Sequence, residues 1–387
     1  MIKITDKSKC CGCEACVQVC PANCIVFTTD SEGFAYPQVD YSKCINCNRC
    51  EKVCPIINID KISISDTDNI QTYLAYSYDD DLRLKSSSGG IFTALAEKVI
   101  ESGGVVCGAA FDENFLVHHI CVDNVKGLSL LRGSKYLQSR IEDVYLQIKK
   151  LLDCGKTVLF TGTACQIAGL YSFLGKRPVN LITMDVICHG VPSPAVWKRY
   201  IDEKEAFYGA AVRQTFFRSK NCGWKTFALS LSFANDKAYE KVFSNDSFMR
   251  LFLKNICLRP SCYTCVFKGE KINSDITVGD AWGIQNHSPE MDDDKGVSVV
   301  VIHSSKGEKL FNNIGESLCV KRVDPLSALA ANSAYYEPVS PHINRKKFFD
   351  DFNNGKSIEK LLYLVKPTFC ERVRGKIKFF YKKIFRR

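Results

Sequence analysis

The sequence predicts a multidomain protein of mixed α+β and α/β class. A small cysteine-rich domain comes first, then a larger α/β domain on a mixed sheet, then a helical C-terminal region. Three observations predict it. Ten of the 21 cysteines fall within the first 54 of 387 residues, eight of them in two regularly spaced runs. From Tyr73 onward, short apolar strands alternate with amphipathic helices. Roughly the last sixty residues have helical rather than strand patterning. With 46% hydrophobic and 24% charged residues the composition is that of a globular chain with ample core, long enough for two or three domains.

In chain order, Cys10, Cys13, Cys16 and Cys20 precede Pro21, and Cys44, Cys47, Cys50 and Cys54 precede Pro55. Each run is C-x2-C-x2-C-x3-C-P, the pattern of bacterial two-cluster ferredoxins. Three thiolates of one run wrap one [4Fe-4S] cluster and the fourth ligates the other. The expected sets are therefore Cys10, Cys13, Cys16 and Cys54, and Cys44, Cys47, Cys50 and Cys20. A structural zinc site would use two CxxC pairs at longer separation, which two complete four-cysteine runs leave little room for. Cys11 and Cys24 lie outside the pattern and read as packing. The alternating residues of CIVFTTDSEGFAYPQVD predict a hairpin turning at Asp30 to Gly33. A polar stretch, Ser63 to Asn69, reads as the linker closing a domain of residues 1–66.

Beyond it, TYLAYSY, GVVCGAAF, TVLFTG and NLITMDVIC read as strands, and GIFTALAEKVIES and ACQIAGLYSFLG as helices between them. VRQTFFRSK, TFALSLSFAN and KAYEKVF predict antiparallel strands, and DITVGDAWGI and GVSVVVIH buried ones. Ser86, Ser87, Ser88, Gly89 and Gly90 lead directly into a helix, where backbone N–H groups can meet a phosphate or a flavin edge, or where a serine simply caps the helix. Gly133 to Tyr136 brings Lys135 and Tyr136 either to a phosphate or into a turn.

Cys165, in GTACQ, and Cys188, in CHGVPS, end predicted strands, where α/β folds place their binding groups. A thiol at a helix N-terminus is expected to have a lowered pKa. The stretch CLRPSCYTC, Cys257 to Cys265, then offers either three ligands lacking a fourth or two that join Cys165 and Cys188.

The segments SSSGGIFTAL, GSKYLQS, GTACQIAGL, CHGVPSP, LRPSCYTC and DITVGDAWGI, in this order, resemble the coenzyme F420 hydrogenase/dehydrogenase beta-subunit family, which also includes plant 7-hydroxymethyl chlorophyll a reductase. The resemblance spans about residues 70 to 340, divided into an N-terminal part, 70–160, and a C-terminal part, 161–340, with 341–387 as a helical tail. It implies FAD and a third [4Fe-4S] cluster held by Cys165, Cys188, Cys262 and Cys265, with Cys257 in reserve. It also implies that Ser86 to Gly90, Lys135 and Tyr136 line the flavin site. An external protein would reduce the N-terminal clusters, and electrons would pass through the third cluster and FAD to a small-molecule acceptor, or the reverse. One departure is Ala164, where family members often carry Pro. Structural zinc is the alternative for these four thiols.

Cys107, Cys121, Cys154, Cys222, Cys319 and Cys370 lie singly and read as core or incidental thiols. No acid or base stands out. His189 beside Cys188 would orient that ligand, at least one of His118 and His119 would face solvent, and Asp280 would bind ribose or cap a turn. A non-catalytic electron-transfer subunit, in a setting such as polysaccharide biosynthesis, is the rival reading; it predicts no flavin.

The net charge of +10 is concentrated in residues 371–387, with eight Lys/Arg and one Glu for a net +7. This argues against nucleic acid as a partner, which would call for a basic groove with interleaved aromatics. Val373, Ile377, Phe380 and Ile384 recur among these cations as in a basic amphipathic helix, which lies on an anionic membrane or docks on its own protein. The opening MIKITDKSKCC lacks a signal-peptide core, so the expectation is a cytoplasmic protein, peripheral to the inner membrane face if the tail binds lipid.

Overall fold

The computed structural model describes residues 1–61 and 70–366; the expected linker at 63–69, Cys370 and the basic tail lie outside the described residues. None of its helices is long and apolar enough to cross a membrane.

The first domain carries the predicted hairpin, β1 (Ile25–Thr29) and β2 (Ala35–Val39), paired antiparallel. Single helical turns follow the third-cysteine loops at Ala15–Gln18 and Arg49–Lys52. The large domain is organised by eight strands, of which β3 (Gln71–Ser77), β4 (Val105–Phe111), β5 (Val117–Val122), β6 (Val158–Gly162) and β7 (Leu181–Val186) come first. A separate antiparallel sheet of β8 (Val212–Ser219), β9 (Ala228–Phe233) and β10 (Ala238–Val242) interrupts them. The eight-stranded sheet resumes with β11 (Ile276–Asp280), β12 (Ser298–Ile302) and β13 (Leu318–Arg322), in the order β13-β3-β12-β11-β7-β6-β4-β5. The four strands β11, β7, β6 and β4 are parallel, and antiparallel strands flank them on both sides.

The parallel strands read as continuous apolar runs because both faces are covered. Val106 and Leu159 face a core closed by the helices Ile91–Glu101, Val125–Leu131 and Ser305–Asn312. Cys107, Val158 and Phe160 face the opposite side, under the helices Val144–Asp153 and Ala164–Leu174. The latter helix starts in a capping box, with Thr163 and Gln166 satisfying each other's backbone, and stops at Gly175, φ +66°. The C-terminal region is helical as expected but in short pieces, chiefly Arg345–Asn353 and Ile358–Leu361.

Cys107 and Cys121 do not lie singly. They oppose each other across β4 and β5 and form a disulfide. Antiparallel register brings together residues that sequence spacing leaves unrelated.

The cysteine-rich domain is seated on the second face of the large sheet. Glu14 and Gln18 accept from the backbone N–H groups of Glu142 (2.7 Å) and Leu146 (3.1 Å), capping the helix Val144–Asp153 in place of its own Asp143. Arg345 forms a two-pronged ion pair with Glu32, at 2.6 and 2.9 Å. Close approach is possible at Gly169, where a Cβ would stand 2.8 Å from the Cβ and 3.0 Å from the Sγ of Cys13. Replacing Gly169 by Val is expected to cost about 1–3 kcal/mol by overpacking, seen as a lower Tm.

Candidate functional site

The parallel strands β6, β7 and β11 all end at one edge, and a cavity of about 750 Å³ opens there. Its position outside the carboxyl ends of parallel strands is the general binding place of α/β sheets, and its size is that of a cofactor pocket. Gly162 and Thr163 at the end of β6, Ile187 and Cys188 after β7, and Asp280 at the end of β11 line it. Cys11 and Ile56 reach it from the first domain.

Cys165, Cys188, Cys262 and Cys265 all line the cavity, although their segments are separated by as much as 100 residues. Cys262 accepts from the backbone N–H of Val191 at 3.4 Å, and the backbones of Gly190 and Phe267 hydrogen-bond to Cys188 and Cys265. Burial pushes Cys188 up to about 12 and Cys265 up to about 11. Cys165 also moves up, not down as its place at a helix N-terminus predicts. The cause is a hydrogen bond with the Cys11 thiol, reinforced by burial. Cys257 is elsewhere, fully buried in an aromatic core with Trp197, Phe248 and Phe252. Among the described residues no group of three or more Cys, His, Asp and Glu is set to hold a metal ion.

In the first domain the thiols fall into two neighbourhoods. Cys20, Cys44, Cys47 and Cys50 surround one small hollow near Met1, with Cys47 exposed. Cys54 lies near Cys10 as well as Cys50, and Cys13 near Cys16 and Cys54. The second neighbourhood faces the large domain through Cys13, while in the first the backbone N–H of Ile2 donates to Cys50 Sγ at 3.3 Å. Cys24 packs beside Cys20, 3.4 Å between sulfurs. Cys11 does more than pack, since its thiol bonds to both Cys13 and Cys165. The doubled cysteine at 10 and 11 was its only signal in the sequence.

The two other candidate segments are joined at the same cavity. Ser87 Oγ accepts from the backbone N–H of Ser134 at 2.7 Å and bonds to its hydroxyl at 2.9 Å. Ser86 and Ser88 donate to the carbonyls of Leu82 and Val297. Gly89 lets its backbone N–H meet Ser298 Oγ at 3.0 Å, and Gly90 caps the next helix at φ +90°. Lys135 directs its Nζ at the carbonyls of Leu131, Arg132 and Gly133, closing the preceding helix, and burial lowers its pKa to about 7. Tyr136 stacks on Phe252 and accepts from Arg218.

Sequence reasoning missed Arg218. It is buried on β8, grips Asp280 with two hydrogen bonds of 2.8 and 2.9 Å, and lies over Phe227 and Trp282. Its Nε is buried without a hydrogen-bond partner. Asp280 is thereby neither a free ribose ligand nor a turn cap. The lining holds Lys9, Arg132, Lys135, Arg218, Lys225 and Lys268 against the single lining carboxylate of Asp280, with Arg218 paired to Asp280 and Lys225 to Asp292, so the balance is positive. Such a field favours an anionic occupant.

The histidines play other parts. His189 bonds to Asn255 Oδ1 at 2.6 Å, so it does not orient Cys188. His118 is partly exposed, while buried His119 bonds to Ser139 and the Thr161 carbonyl, its pKa lowered to about 4 by burial.

Comparison with known proteins gives the following matches. Residues 72–145 and 155–325 match the family models described as coenzyme F420 hydrogenase/dehydrogenase beta subunit, N-terminus and C-terminus, and residues 9–57 match the 4Fe-4S dicluster domain. No curated protein matches the chain. A chain of the F420-reducing [NiFe] hydrogenase complex from Methanosarcina barkeri is 16% identical, with 76% of this chain and 91% of that chain covered and a TM-score of 0.49.

Proposed function

The chain belongs to the coenzyme F420 hydrogenase/dehydrogenase beta-subunit family and is an iron-sulfur oxidoreductase; from that premise we propose that it relays electrons between three [4Fe-4S] clusters and FAD and on to an organic acceptor. The observation that carries the reading is the convergence of four cysteines from the large domain, a thiol-bearing edge of the ferredoxin domain, and the Ser86 to Tyr136 segments on one cavity.

The chemistry of the donor atoms suits the groups proposed for them. Cys165, Cys188, Cys262 and Cys265 are an all-thiol donor set with backbone N–H groups already aimed at three of the sulfurs, as in iron-sulfur sites. Cys10, Cys13, Cys16 and Cys54 would hold the inner ferredoxin cluster, and Cys44, Cys47, Cys50 and Cys20 the outer one. Ser86 to Gly90, Lys135 and Tyr136 would bind FAD, where the positive balance of the lining suits a pyrophosphate. When bound, the clusters pass single electrons and the flavin exchanges electrons singly or as hydride.

The chain's own residues then divide the work. The exposed Cys47 edge meets a protein partner, Cys11 and its neighbours close the boundary between domains, and the aromatic wall of Tyr136, Phe227, Phe252 and Trp282 keeps water from the flavin site. A small redox substrate enters the same cavity. The proposed location is the cytoplasm, with the basic tail at the inner membrane face and no role for nucleic acid. Anaerobic purification with iron, zinc and flavin quantified tests the proposal. About twelve irons and one FAD per chain are expected; about eight irons with zinc and no flavin would refute it and favour an electron-transfer subunit.

A further inference from the structure

Arg259 sits inside CLRPSCYTC and is fully buried. Its guanidinium spans the domain boundary: Nε donates to the Cys10 carbonyl at 2.8 Å, one terminal nitrogen to Gln138 Oε1 at 2.7 Å, and the other to the Ala35 carbonyl at 3.0 Å. The last nitrogen also lies 3.6 Å from Cys10 Sγ. The rings of Tyr36 and Phe34 lie beneath it, at 4.3 and 5.6 Å. None of these hydrogen-bond partners is a carboxylate. The groups whose charge it feels most are Cys10, Tyr36, Cys11 and Cys262, and Cys165 feels it in turn.

A buried cation without a counter-anion is strongly unfavourable, so a site that keeps one implies an anion close by. Four thiolates leave a [4Fe-4S] centre net negative. Arg259 has a terminal nitrogen 3.6 Å from the sulfur of a ligand of one such centre, and its carbonyl accepts at 2.9 Å from the backbone N–H of Cys262, a ligand of the other. We propose that Arg259 is the shared counter-charge of the ferredoxin cluster ligated by Cys10 and the cluster held by Cys165, Cys188, Cys262 and Cys265, raising the reduction potential of both. The second half of the inference rests on the third-cluster reading above. Positive charge and hydrogen bonds near cluster sulfur favour the reduced, more negative state. The outer ferredoxin cluster has no such neighbour among these contacts, so Arg259 biases electrons inward, toward the large domain. It is a positioning residue and touches no substrate.

The test is a redox titration followed by EPR on anaerobically purified full-length protein. Arg259→Gln is expected to keep the iron content, lower the midpoint potential of the inner ferredoxin cluster and of the third cluster, and leave the outer cluster unmoved. Arg259→Lys, which keeps the charge and loses the fork, is expected to stay close to wild type. Should Arg259→Gln fail to accumulate, Gln138→Glu places a carboxylate against the guanidinium and is expected to lower the same two potentials. Unchanged potentials at full iron content, or equal shifts in the Gln and Lys variants, would overturn the inference. A wild-type iron count near eight would overturn the third-cluster reading instead, leaving the Cys10 cluster's shift to decide the rest.

Discussion

Cys262→Ser is expected to remove about four of twelve irons per chain and to stop reduced ferredoxin clusters from reducing the flavin, while FAD content stays unchanged. Cys262 is the centre of the four-thiol group. Its charge couples to Cys188, Cys165 and Cys265, and its Sγ accepts the Val191 N–H. Gly190, at φ +142°, brings the CHGVPS turn so close that a Cβ there would stand 3.3 Å from the Cβ of Cys262. Serine keeps the size of the side chain and loses the soft thiolate that iron requires. Cys257→Ala is the control, since that thiol is packed among aromatic residues away from the cavity. It should keep all its iron, with a modest fall in stability. Iron analysis with stopped-flow flavin reduction reads both variants; full iron in Cys262→Ser would remove it from the ligand set.

Asp280→Ala is expected to destabilise the large domain by about 3–5 kcal/mol, the usual result of removing one member of a buried ion pair. Arg218 is enclosed by Phe227 and Trp282, with its side chain 4% exposed. The same carboxylate accepts from the Trp224 indole at 2.8 Å, and Trp224 stacks on Trp282 at 5.0 Å. Its loss therefore leaves a cation and an indole N–H together without their acceptor. Denaturant unfolding should report the loss, and flavin retention should fall with it because Arg218 also holds Tyr136 and the Ser87 carbonyl. Asp280→Asn keeps one acceptor oxygen and should lose less. Unaltered stability in the alanine variant would mean that the pair is not a net contributor.

The local parts of this architecture were legible because each is encoded within a few residues. The cysteine runs follow the loop geometry that wraps a cluster, and TVLFTG or GVSVVVIH carry the uninterrupted apolar character of strands covered on both faces. The hairpin at Asp30 to Gly33 likewise follows from period-two alternation and a turn. What stayed hidden was pairing over distance. Cys107 and Cys121 meet only through antiparallel register, and Arg218 finds Asp280 only when β8 folds over the edge of β11. Cys165 sits where a helix dipole should acidify it, yet a neighbouring thiol from another domain and burial decide otherwise. Cys165 and Cys188 were legible as thiols at strand ends, but Cys262 and Cys265 were chosen through resemblance to a family, since nothing in their spacing alone distinguishes them from Cys257.

The two ferredoxin thiol neighbourhoods differ in depth, the inner one shut against the large domain and the outer one with Cys47 at the surface. That asymmetry gives the protein an order of failure. With clusters bound as proposed, dissolved oxygen and peroxide would reach the outer iron first, and its loss would cut the proposed path to a protein partner while the inner centres stayed intact. Oxidative damage would then begin as disconnection, at a surface site that can be rebuilt without unfolding the domain behind it.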